Sequence, residues 1–229
     1  AGAIHFEAVA ADTRLTAESG ASLGGVARRS AERGLSGLEW AATIPGTIGG
    51  AVVGNAGAHG GDMASSLESV EILQPPDTRE TWATERLGYT YRSSLLKRQA
   101  ARSVVLSASF LLRLSTPEVT KARIEANIQA RRRTQPPGAS LGSMFKNPPG
   151  DFAGRLVEAA GLKGRRRGAA EISPLHANFF INHGGARARD VADLLVEARR
   201  RVQETSGVVL EPEVELMGDW PVDIQEAWL

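Results

Sequence analysis

Ser143, with Lys146 and Asn147 close behind it in GASLGSMFKNP (138–148), is the first place where residue type and spacing could do chemistry. A serine attacks a carbonyl only when a base takes its proton. Ser143 has no Gly-x-Ser-x-Gly elbow, and His5, His59, His176 and His183 show no triad-like arrangement around it. A lone serine is usually inert; one that acts here fits a proton donor or orienting hydroxyl better than a nucleophile. Arg92 lies between an aromatic residue and two hydroxyls in YTYRSS. Its fork could clamp a carboxylate through two bonds, against the default of a surface arginine. In LEPEVELMG, strand alternation puts Glu211, Glu213 and Glu215 on one face. Such a face is usually solvated; a pocket-facing carboxylate would serve proton transfer or polarise a substrate.

A different chemistry belongs to IPGTIGGAVVGNAGAHGG (44–61). Glycine set among Ile44, Ile48, Val52 and Val53 implies backbone that comes very close to something. Serial N–H groups without side chains can form an anion site or lie against a flat ring. A tight turn packed under a helix carries equal weight. The run is neither a Walker loop nor a dinucleotide G-x-G-x-x-G.

Composition excludes much. There is no cysteine, which removes disulfides, thiolate catalysis and Cys-ligated metals. The histidines lack metal-ligand spacing, so no metal is expected. A net charge of +1 gives no electrostatic reason for a nucleic-acid partner. The runs Arg131–Arg133, Arg165–Arg167 and Arg199–Arg201 read as solvated faces first, diphosphate contacts second and nucleic-acid contacts third, because no aromatic residues interleave them. No apolar run is long enough to span a bilayer, and no membrane partner is expected. AGAIHFEAVA is not a signal peptide, and it reads as mid-strand, as if an N-terminal piece were missing.

The elements that must position these residues alternate between strand and helix. Residues 3–15 read as strand. A helix comes next, capped by Ser22 and stopped by Gly34. Residues 69–73 and 103–114 read as strands around the turn QPPDTRE. A helix begins at Thr116-Pro117, and a shorter one, DFAGRLVEAA, ends at Gly161. GAAEIS and ANFFIN read as strands, a long helix closes at Gly207, and VVLEPEVELMG reads as a last strand. The expected division is 1–112 and 113–205, two α/β units, with 206–229 returning to the first as a strand.

The motifs GLSGLEWAATIPGTIGGAVVGNAGAHGGDM, GYTYRSS, GSMFKNP, AGLKG, HANFFIN and LEPEVELMG occur in that order. Together they resemble the UDP-N-acetylenolpyruvoylglucosamine reductase family over about residues 15–218. The resemblance implies an α/β (α+β) fold, with a vanillyl-alcohol-oxidase-type FAD-binding domain over 1–112, its N-terminal part absent, and a smaller substrate-binding domain. It also implies FAD as cofactor, NADPH as cosubstrate and UDP-N-acetylglucosamine enolpyruvate as substrate, in a cytoplasmic, monomeric enzyme of peptidoglycan precursor synthesis.

By this resemblance Gly46, Thr47, Ile48, Gly49, Asn55, Gly57 and Ala58 lie along FAD. A hydride reaches the terminal vinyl carbon of the substrate. Arg92 and Glu213 then stabilise the enolate-like intermediate, and Ser143 protonates the other carbon. Lys146 and Asn147 meet the substrate. The stretch between Arg92 and Ser143 is too short for the substrate-covering tyrosine loop of some members, which implies the shorter subclass. Met144 stands where phenylalanine is usual. Two rivals stay open: another flavin oxidoreductase on the same fold, and a non-catalytic remnant that binds a UDP-sugar.

Overall fold

Alternating apolar residues give residues 104–114 one face for a core, and this strand becomes the axis of a sheet. In the computed structural model, which describes residues 2–99 and 103–228, the chain forms two compact units, 1–130 and 131–229.

The first unit contains strands β1 (Ile4–Val9), β2 (Asp12–Glu18), β3 (Leu35–Ser36), β4 (Gly57–Ala58), β5 (Gly61–Asp62), β6 (Leu67–Gln74), β7 (Thr78–Ala83) and β8 (Val104–Leu114). Its helices are α1 (Leu23–Glu32), α2 (Ile48–Gly54), α3 (Met63–Ser66), α4 (Leu95–Arg98) and most of α5 (Pro117–Thr134). An antiparallel sheet runs β1-β2-β8-β6-β7, with β3 also on β8, and β4 and β5 pair separately as a small hairpin. Leu15, Ala17, Val70, Ile72, Ala108 and Phe110 turn one sheet face toward Val26, Ile48 and Val52 of the helices. The reading of 3–15 as one strand is corrected to a hairpin, turned at Ala10 in a left-handed conformation (φ 53).

α1 is bounded as its caps require: Ser22 accepts from the Gly25 N–H, and Gly34 turns left-handed after it (φ 68). The boundary expected at 112/113 falls instead after Ala130. α5 is fastened to the first unit by polar contacts as well as by Ile124. Thr120 Oγ1 donates to Ala31 O at 2.7 Å, while Arg123 and Asn127 donate to Glu39.

The second unit holds β9 (Ala139–Ser143), α6 (Ala153–Ala159), β10 (Arg166–Arg167), β11 (Ala170–Ile172), β12 (Phe179–Asn182), α7 (Ala188–Ser206) and α8 (Val222–Trp228). Its sheet runs β10-β11-β12-β9, all antiparallel. Its core gathers Met144, Phe145, Leu156, Val157, Ile172, Phe180, Leu194, Leu195 and Leu210. The strand expected from VVLEPEVELMG is not formed, and residues 206–229 belong to this second unit. Leu210 is buried in its core, and Pro212 makes only an isolated bridge to Phe145. Proline at that point lacks the N–H that a continuing ladder needs.

Close backbone approach within the glycine-rich segment is partly to the protein itself. A Cβ on Gly61 would stand 2.4 Å from Trp40 Cδ1, and one on Gly49 would stand 2.9 Å from Ser19 Cβ. Trp40 cannot yield freely, since its indole N–H is bonded to Ser66 Oγ at 3.0 Å. Gly61→Ala is therefore expected to cost about 1–3 kcal/mol by overpacking. Gly54→Ala, with nothing within 4 Å, should be neutral or slightly stabilising. Denaturant unfolding of the two variants checks the contrast.

Candidate active site

In the first unit, two sets of residues far apart in sequence are brought together. Thr47 caps α2, its hydroxyl accepting from the Gly50 N–H at 3.3 Å, and the helix ends on Asn55 in a left-handed conformation (φ 45). Gly46 and Thr47 are exposed. Their amides donate to no partner among the described residues, and Gly46 (φ 116) has nothing within 4 Å of where a Cβ would stand. Ile48 is fully buried, and its N–H donates to Ala21 O; the Gly49 N–H donates to Ser19 O. Asn55 is buried too, donating from Nδ2 to Thr90 O and accepting the Ala64 N–H at Oδ1, both at 3.0 Å. Gly57 and Ala58 form β4 of the hairpin.

Arg92 lies on this segment. Residues Thr90 and Ser93 exchange two backbone hydrogen bonds, so Tyr91 and Arg92 form the tip of a tight turn. Arg92 is left-handed there (φ 55), a costly conformation for an arginine, and its Nη2 donates to Gly57 O at 2.8 Å. Burial, with the negative charge of Asp62 second, pushes the Tyr89 phenol far above its ordinary value. The hydroxyl therefore stays protonated, and it donates to Val52 O at 2.9 Å.

In the second unit, Ser143 ends β9, paired with Phe179 of β12. The buried Asn178 fixes the two residues after Ser143. Its side chain donates to Phe145 O at 2.8 Å and accepts the Phe145 N–H at 2.9 Å, while its carbonyl takes the Met144 N–H. On the other side, the Glu213 N–H donates to Met144 O at 2.8 Å and the Lys146 N–H to Glu211 O at 2.9 Å. Backbone pairing thus sets Glu213 beside the residue after Ser143. Lys146 is spent on Glu211 at 2.5 Å. Asn147 lends its Oδ1 to the Ala153 N–H at the start of α6.

Ser143 and Asn147 line a cleft of about 420 Å³ with Arg155, Glu158, His176 and Asn178, and Phe152 and Leu175 stand exposed beside it. Lys146 is not in its lining. His176 opens the HANFFIN motif, but nothing in the sequence places it beside Ser143 and Asn147, which lie far upstream. It fits there because Gly154 has no side chain: a Cβ would stand 2.9 Å from His176 Cε1. Burial lowers the His176 pKa, and Nδ1 accepts the Asn178 N–H, so the neutral ring carries its proton on Nε2.

Arg155 is gripped by Asp151 through both of its side-chain faces. The Arg155 hydrogen bond, then the Phe152 N–H, hold the Asp151 carboxyl down to about 2. The folded value lies below the ordinary one of 3.8, so the pair's contribution is present above that value and lost as pH falls through about 2. A carbon-13 titration of the Asp151 carboxyl should show this low midpoint. In Arg155→Met it should return toward the ordinary range.

Two arginine runs are engaged by the protein itself. Arg165 and Arg167 meet Glu197, Arg166 meets Glu171, Arg200 and Arg201 meet Glu204, and Arg199 donates to Ala227 O. Among the described residues no group of three His, Asp or Glu side chains could hold a metal, and no helix is long and apolar enough to cross a membrane.

Two family models match this chain: an FAD binding domain over residues 5–82, and the C-terminal domain of UDP-N-acetylenolpyruvoylglucosamine reductase over residues 134–217. The reductase of Chloroflexus aggregans is 52% identical over 206 residues, which cover 89% of this chain and 69% of that protein. That of Chloroflexus aurantiacus is 47% identical over 203 residues, covering 87% of this chain and 68% of that protein. The crystal structure of the Thermus caldophilus enzyme superposes with a TM-score of 0.77 at 40% identity, over 89% of this chain and 71% of that one. With a flavin-domain match on the unit that carries the glycine-rich segment and Arg92, and a reductase-specific match on the unit that carries Ser143 and Glu213, this chain belongs to the UDP-N-acetylenolpyruvoylglucosamine reductase family.

Proposed function

We propose that this chain is an FAD-dependent reductase that converts UDP-N-acetylglucosamine enolpyruvate to UDP-N-acetylmuramate with NADPH, in peptidoglycan precursor synthesis. The observation that carries the reading is the Arg92–Gly57 hydrogen bond, which joins the arginine to the glycine-rich segment across 35 residues of sequence. That bond sets a proposed charge-stabilising arginine directly on the backbone proposed to hold the flavin.

The first unit fits FAD. Exposed, undonated amides at Gly46 and Thr47 can meet an anionic or carbonyl oxygen, and no atom crowds the backbone at Gly46, Gly54 or Gly60. Gly46, Thr47, Gly57 and Ala58 are proposed to face the cofactor. Gly49 lets α2 pack on Ser19, while Ile48 and Asn55 act by shaping the segment, since their polar groups are spent within the fold. FAD, when bound, relays hydride from NADPH to the vinyl carbon of the substrate.

The remaining steps fall to side chains. Arg92 offers a guanidinium to the carboxylate, where negative charge grows during reaction. Glu213 is proposed to assist as a neutral acid donating a hydrogen bond, since an ionised carboxylate there would repel the growing charge. Ser143 delivers a proton to the carbon beside that carboxylate. Its hydroxyl is a feeble acid in water, but an enolate held in a low-dielectric pocket raises the driving force for transfer. Asn147 keeps its amide NH2 for substrate after Oδ1 is committed to α6, and Lys146 is held near by Glu211. A reaction that consumes NADPH and a nucleotide sugar belongs in the cytoplasm.

The test is direct. The purified chain is mixed with FAD, freed of excess, and its visible spectrum recorded. A retained flavin band, with NADPH oxidation that depends on the enolpyruvyl ether, is expected. A flavin-bound chain that oxidises NADPH equally well without that substrate would sink the assignment.

A further inference from the structure

The turn that carries Arg92 is over-fastened for its size. Arg92 sits in a left-handed conformation (φ 55), which is costly for a non-glycine residue and persists only where neighbours hold it. Four hydrogen bonds tie residues 89–94 to residues 52–57, and each bears on a different point. Tyr89 Oη donates to Val52 O at 2.9 Å, and Asn55 Nδ2 to Thr90 O at 3.0 Å. Arg92 Nη2 donates to Gly57 O at 2.8 Å, and Ser94 Oγ to Val53 O at 2.6 Å. Ser94 is fully buried, and its oxygen also accepts the Lys97 N–H at the start of α4. Arg98 closes the far side by donating to Gly88 O and Ser93 Oγ.

Three of these four acceptors are backbone carbonyls at the end of α2 or just beyond it, in the segment assigned to FAD. The bonds thus tie that segment to the Arg92 turn at four points. We propose that Tyr89 and Ser94 are positioning residues, which couple occupancy of residues 46–58 by FAD to the presentation of the Arg92 guanidinium. The inference rests on the flavin reading of that segment. The burial that keeps the Tyr89 hydroxyl protonated supports it, because a protonated phenol can donate across the pH range where the enzyme would work.

Coupling of this kind is reciprocal: if FAD steadies the turn, loosening the turn weakens FAD by the same factor. Hydrogen exchange read by mass spectrometry on the whole chain, with and without FAD, is the test. In the wild type, FAD should slow exchange in peptides covering 46–58 and 89–94 together, by about tenfold or more. Tyr89→Phe keeps the ring and removes only the bond to Val52 O. It should keep the slowing at 46–58, lose most of it at 89–94, and raise the FAD dissociation constant about threefold to tenfold.

Ser94→Ala should act the same way, while Ser94→Thr, which keeps a hydroxyl, should restore the coupling. Unchanged protection of the sheet strands β6 and β8 certifies that each variant is folded. If either alanine or phenylalanine variant fails that check, the wild-type comparison still decides. Slowing at 46–58 alone overturns the coupling and leaves the flavin reading standing. No slowing at either segment overturns the flavin reading, and the coupling with it. Wild-type FAD affinity and protection in both Tyr89→Phe and Ser94→Ala also overturn the proposal.

Discussion

Replacing Ser143 by alanine is expected to lower product formation by about 10²–10³, while NADPH still reduces the bound flavin at the wild-type rate. The two halves separate because the proton transfer proposed for Ser143 comes only after hydride has reached the substrate. Stability should hardly change. Ser143 is half-buried at the end of β9, and the bonds that fix its neighbourhood come from Asn178 and from the backbone of Glu213, not from the hydroxyl. A stopped-flow experiment checks this in two mixes: oxidised variant with NADPH, then reduced variant with the enolpyruvyl ether. Equal slowing of both mixes would mean a damaged site. Wild-type rates in both would remove Ser143 from the chemistry.

Arg92→Gly is the second large effect, and its direction on stability differs from its direction on activity. Loss of the guanidinium should cut turnover by about 10²–10³, because the charge proposed to stabilise the developing carboxylate disappears. Against that, glycine adopts the left-handed conformation of residue 92 without strain. The relief offsets the lost hydrogen bond to Gly57 O and the added freedom of the unfolded chain, so stability should stay within about 1 kcal/mol of wild type. Paired thermal melts and steady-state assays make the comparison. An inactive variant that melts with the wild type is expected; an active one would show that the arginine serves only the fold.

Much of this architecture was legible in the residues. Ser22 and Gly34 bracket α1 because each has a local job at its end of the helix, an accepting hydroxyl and a left-handed φ. The β8 strand was legible for a different reason: its alternation runs long enough to admit no helix. The illegible parts depended on partners distant in sequence or on backbone geometry without a residue signature. Ala10 turns left-handed with no glycine or asparagine to announce it. The extent of α5 in the first unit depends on Thr120, Arg123 and Asn127, polar residues whose partners, Ala31 and Glu39, lie far upstream. The final segment alternates like a strand, yet Pro212 and a buried Leu210 settle it into the core of the second unit instead.

The site obeyed the same rule. Ser143, Lys146, Asn147 and the glycine-rich segment stand in short local motifs, so a sequence can display them. His176 stands in such a motif too, HANFFIN, yet its place beside Ser143 and Asn147 exists only once β12 lies on β9 and α6 stands across from both. Lys146 shows the opposite limit: a well-placed cation in the motif, whose nearest carboxylate is the chain's own Glu211.

The absent side chain at Gly154 sets the shape of one wall of the cleft. The imidazole of His176 occupies space that any larger residue at 154 would claim. A relative with alanine there must shift its histidine and reshape the cavity wall. A compound shaped to that wall would discriminate among relatives by one methyl group that it never touches.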